Sequence, residues 1–227
     1  MQFINNKRLK AGELLLTALS QRSSLSVITA LFSIYALEKL ESVLPSIETL
    51  RLLFSSPLEI QDPLALVGDS DERRLRNHLT QQNVAKKCEE WLSAHAEILQ
   101  MTSASLVHQN LFCTEKIAIQ GSADLTASGL GFTSSIRHDM STGFDEPENI
   151  AELKEWFDAI WQDDCHVRNI KKIFIDQLTW LGSDKAPNFI YYLVLYHIFS
   201  NTLSELDEEK IIRTKTGIKE HRIWNRR

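Results

Sequence analysis

Two apolar, β-rich runs separated by one short amphipathic segment constrain this chain most. SLSVITALFS (24–33) and TLRLLFSS (49–56) read as buried strands. Between them, YALEKLESVL (35–44) places Leu37, Leu40, Val43 and Leu44 on one helical face and ends at Pro45. Strands joined through a helix lie parallel, and the crossover is right-handed. A parallel pair must be covered on both faces, so the fold is α/β, with helices on each side of a sheet. At 227 residues and 43% hydrophobic content the chain can fill such a core.

The rest of the chain extends this pattern. LKAGELLLTAL (9–19) has helical spacing, and Arg73 to His95 predicts a long helix. Leu75, Leu79, Val84, Cys88, Trp91 and Leu92 line the buried side of that helix. EILQMT (97–102) follows as a strand. LVHQNLFC and KIAIQGS then make two strands about the turn CTEK, within 106–122. A Gly- and Ser-rich loop, GSADLTASGLG, leads to a weak strand over 134–141. Helices are predicted at 147–163, opened by Pro147, and at 170–182 and 187–206. Trp156, Phe157 and Trp161 fit a buried face, as do Trp91 and Trp180. The expected organisation is a first domain over 1–165, a helical extension over 166–208 packed on it, and a basic tail over 209–227.

Charge is unevenly placed. The total is −5, yet Lys210 to Arg227 carries +6, which leaves −11 on the first 209 residues. An acidic body argues against a generally basic nucleic-acid coat protein, while leaving room for local basic patches. Arg73, Arg74 and Arg76 form one candidate for nucleic-acid contact, beside the plainer reading of a solvated helix face. The tail offers another, where Trp224 among Arg222, Arg226 and Arg227 suits base stacking, a docked domain or a plain linker. Three scattered cysteines with no CxxC pair predict neither a zinc site nor a disulfide framework, and point to a reducing cytoplasm. The first residues lack an apolar signal core. The longest apolar stretch, NFIYYLVLYHIF, is short of the ~20 residues a membrane helix needs. No membrane association, cofactor or metal is expected.

The informative segment is LVHQNLFCTEKIAIQGSADLTASGLG (106–131), with His108 in a strand and Gly121-Ser122 thirteen positions on. Read alone, His108 is a hydrogen-bonded strand histidine and Ser122 a turn residue. Asp124 with Thr126 and Ser128 caps a helix or orders the loop. His138 and Asp139 are neighbours on opposite strand faces, which disfavours a metal site. Together these residues resemble the phospholipase D superfamily, whose motif is HxKxxxxD followed by GSxN. GSADLTASGLG is similar to the GSxNLTxSGL loop of the PLD-like domains of bacterial restriction nucleases and of the N-termini of bacterial Snf-type DNA helicases. The first βαβ unit, AELKEWFDAIWQD and the tail TGIKEHRIWNRR resemble parts of the same domains.

The resemblance implies a PLD-like mixed sheet flanked by helices on both faces, with a C-terminal helical extension. It also implies a mechanism: a histidine attacks phosphorus, a second from a twofold-related copy protonates the leaving oxygen, and Lys and Asn stabilise the phosphate. One motif per chain implies a homodimer. His108 and Ser122 match the motif, but Asn110 stands for its Lys, Glu115 for its Asp and Asp124 for its Asn. Arg137 stands for a later Glu. Asn110 removes a cation and Asp124 adds an anion where a phosphodiester would bind. One like charge at about 4 Å costs roughly 4 kcal/mol at an effective dielectric near 20. An inward Arg137 would return one cation. The expectation is a catalytically degenerate, dimeric module of a bacterial DNA-processing or defence system, binding DNA or a partner such as a helicase motor domain or subunit. The alternative is a metal-independent phosphodiesterase or nuclease with His108 as nucleophile.

Overall fold

A computed structural model describes residues 1–57, 66, 78–134 and 138–183. Its centre is the predicted parallel pair. β2 (Ser23–Thr29) and β3 (Ile47–Phe54) run parallel through α2 (Ile34–Lys39) and a 3₁₀ turn at Leu44–Ser46 that contains Pro45. Ser33 starts α2, its hydroxyl accepting the Tyr35 N–H at 3.2 Å. β4 (Ala96–Met101) extends the parallel set beside β3.

On the other side of β2 comes an antiparallel run. β5 (Asn110–Cys113) pairs with β2, β6 (Ala118–Gly121) with β5, and β7 (Ser141–Phe144) with β6. Two three-residue strands close the edges: β1 (Gln2–Ile4) on β7 and β8 (Val167–Asn169) on β4. Among the described residues the sheet therefore has eight strands, in the order β1-β7-β6-β5-β2-β3-β4-β8.

Alternation along the strands divides the core in two. Leu25, Val27, Leu50, Leu52, Phe54 and Phe112 face α1 (Ala11–Ala18), α2, α3 (His78–His95) and α5 (Lys171–Gly182). Ile28, Leu53, Leu111, Cys113 and Ala118 face α4 (Pro147–Trp161). Arg51 fastens α4 to the sheet. Its guanidinium donates to Ser26 Oγ and to Asp158 Oδ1, the latter at 2.6 Å, and lies 4.7 Å from the Phe157 ring centre. Helices thus flank both faces of a mixed sheet. Among the described residues, no helix is long and apolar enough to cross a membrane.

Several boundaries differ from expectation. β5 begins at Asn110 and not at 106, so His108 precedes the strand. The last strand of the antiparallel run is observed at Ser141–Phe144, its register set by β6, while 135–137 of the strand predicted over 134–141 lie outside the described residues. Phe157 is fully buried, whereas Trp156 and Trp180 are 38% and 37% exposed. Of the long helix predicted from Arg73, 78–95 is observed and 73–77 lies outside the described residues, as does the helix predicted at 187–206.

Candidate functional site

The C-terminal ends of β2, β3, β4 and β6 meet the N-terminal ends of β5 and β7 along one edge of the sheet. Ligands of open α/β sheets bind at such an edge. Asn110, the first residue of β5, shares the helix-rich face with Phe112. It is 8% exposed, and its carboxamide is fully engaged. Oδ1 accepts the Ala30 N–H at 3.0 Å, while Nδ2 donates to the Ser122 carbonyl at 3.2 Å and to Asp124 Oδ1 at 3.0 Å. Asp124 is itself 3% exposed. The two positions where the resemblance places Lys and Asn are therefore bonded to each other.

The loop after β6 is packed inward. Ala123 through Leu130 are all buried. The Leu125 N–H donates to Thr29 Oγ1 at 3.0 Å, and the Leu125 carbonyl accepts the Ser33 N–H at 2.9 Å. Thr126 Oγ1 accepts the Gly129 N–H, and Asn6 Nδ2 donates to the Gly129 carbonyl at 2.7 Å. A Cβ on Gly129 would sit 2.6 Å from the Asp124 carbonyl oxygen, so only glycine lets the loop fold back this closely. Asp124, Thr126 and Ser128 thus order a loop and do not start a helix.

The other matching positions are spread out. Ser122 is exposed, and its hydroxyl accepts the Met140 N–H at 2.9 Å, joining the two ends of the 123–139 segment. His108 is exposed in the stretch before β5, which is held to the end of β3 by a bond from the Val107 N–H to the Ser55 carbonyl. Glu115 is not with them. It occupies the β5–β6 turn at the far edge of the sheet, where its carboxylate accepts from the Ser24 N–H at 3.0 Å and the Ser24 hydroxyl at 2.5 Å. Partial burial raises its pKa, but the Ser24 hydrogen bonds outweigh that and hold it below the ordinary carboxylate value. Asn110 opens β5 and Glu115 lies five residues on, past its end, so one strand carries them to opposite edges. Arg137, Arg73, Arg74, Arg76, Arg222, Trp224, Arg226 and Arg227 lie outside the described residues.

Sequence reading missed the residues that close the edge, Thr29 and Asn6. A threonine ending a buried strand and an asparagine just before a helix were their only signals. It also missed an apolar rim: Leu31, Leu106 and Met140 are 44%, 50% and 65% exposed, all on loops at this edge. Among the described residues, no group of three His, Cys, Asp or Glu side chains is arranged to hold a metal.

No family model matches the chain, and no curated protein matches its sequence. Solved structures do. The chain is similar to the phosphatidylserine synthase of Haemophilus influenzae Rd KW20, with a TM-score of 0.51 and 11% identity over 80% of this chain and 42% of that one. Nuc, a phospholipase D family member from Salmonella typhimurium, matches at TM-score 0.46 and 11% identity over 74% of this chain and 96% of that one. NucT from Helicobacter pylori matches at TM-score 0.43 and 14% identity over 71% and 97%. At these identities the likeness is one of fold alone.

Proposed function

We propose that this chain is a catalytically degenerate PLD-like module that works as a homodimeric interaction domain in a bacterial DNA-processing or defence system, in association with a helicase. The observation that carries the reading is the buried bond from Asn110 Nδ2 to Asp124 Oδ1 at 3.0 Å. A phosphodiester attacked by His108 would need a cation and neutral donors at these positions. Here a neutral amide is consumed by a carboxylate, which repels phosphate and offers no donor. Losing the Lys alone removes transition-state stabilisation on the order of 10²–10³ in rate.

The rim of Leu31, Leu106 and Met140 favours a protein partner over DNA at this edge, and the first candidate is a second copy, since the PLD-like site is built from two motifs. The exposure of His108 favours a second reading, a metal-independent phosphodiesterase. Incubating the full chain and its His108→Ala variant with single- and double-stranded DNA in chelator separates the two. The expected result is background cleavage by both. Robust cleavage lost in His108→Ala would overturn the degenerate reading. Sedimentation of Leu106→Glu/Met140→Glu, expected as a monomer beside a dimeric parent, tests the rim.

A further inference from the structure

A groove of about 610 Å³ lies between α2, the 3₁₀ turn and α3. This is within the roughly 300–1,000 Å³ range of ligand-sized pockets. Its walls are two helices and its floor is apolar: Leu37, Val84 and Cys88 are buried there, and Leu44, Pro45 and Trp91 complete the lining. Its rim is acidic. Among the described residues lining it are Glu38, Glu41 and Glu90 and one ammonium, Lys87, whose Nζ is bonded to Glu41 Oε1 at 2.7 Å. The negative field reaches the floor, where the Cys88 thiol is pushed up to about 12, chiefly by burial and further by Glu38 and Glu41.

We propose that this groove takes the apolar face of a basic amphipathic helix from a partner protein. Leucine-like side chains would enter between α2 and α3, and flanking Lys or Arg would meet Glu41 and Glu90 at the rim. An acidic rim repels nucleic acid, and an apolar floor gains nothing from a purely polar cation. The groove lies outside the motif edge, and its use is independent of how that edge is read.

The test uses the full chain and a fluorescent Leu/Lys amphipathic peptide, with a Ser/Lys peptide of equal charge and no apolar face as control. Anisotropy should show saturable binding of the first and much weaker binding of the second. Glu41→Lys/Glu90→Lys should weaken binding about tenfold or more. Asn83→Trp, on the exposed rim, should weaken it by blocking the mouth. Glu148→Lys/Glu155→Lys on α4, against the opposite face of the sheet, should leave it unchanged. Absence of binding, equal binding of both peptides, or equal loss in both charge-reversal variants would overturn the proposal. So would self-association of the parent chain that Glu41→Lys/Glu90→Lys abolishes, because the occupant would then be a second copy.

Discussion

At the edge where β5 begins, polar side chains turn inward and satisfy one another: Asn110 with Asp124, Thr29 with Leu125, Asn6 with Gly129. At the far end of the same hairpin, Glu115 and Ser24 meet in the open, at an exposed turn. Both are long-range contacts anchored on β2. They differ in what surrounds them. The Asn110–Asp124 and Thr29–Leu125 bonds of the first are buried, so a lost partner costs more there; the second is rehydrated when broken. At the first edge the polar side chains hold the fold together.

That difference predicts graded costs. Asn110→Leu removes the acceptor of the Ala30 N–H and one donor to Asp124, and should cost about 3 kcal/mol, read as a denaturant midpoint or as a Tm fall of roughly 6–12 °C. A cost near that of an exposed substitution would break the comparison. Gly129→Ala drives a methyl against the Asp124 backbone and should cost about 2 kcal/mol, loosening the Asp124 end of the network while the Ala30 N–H keeps its bond to Asn110. Glu115→Gln should cost less than about 1 kcal/mol, because the site is exposed. Its small effect has a definite pH dependence. The folded-state pKa is depressed below the ordinary 4.5, so the contribution is full above that value and is lost as pH falls through the folded pKa. Stability curves of parent and Glu115→Gln should converge in acid. A difference that grows in acid would contradict the assignment.

How much of this was legible in the sequence depended on the range of the signal. The βαβ unit was readable because β-branched runs, helical spacing and Pro45 are local. Phe157 and the start of α4 at Pro147 were readable for the same reason. β1 and β8 were not, since three residues carry no alternation and are strands only because β7 and β4 offer them an edge. Trp156 and Trp180 have the spacing of a buried face, yet 38% and 37% of their surface is exposed. Asn110 and Asp124 were singled out in the sequence as departures from the pattern it resembles. Their bond to each other was not, because it depends on the loop folding back through Gly129 and Leu125. The distance of Glu115 from Asn110 follows from β5 running straight between them.

The central claim is that the Asn110–Asp124 pair is closed to phosphate. Side-chain amide resonances of Asn110, followed by NMR in the full chain during titration with phosphate and with a dinucleotide, test it most directly. The account predicts slow hydrogen exchange of the Asn110 carboxamide and no saturable shift with either ligand. A saturable shift at Asn110, lost in His108→Ala and accompanied by fast exchange, would contradict it.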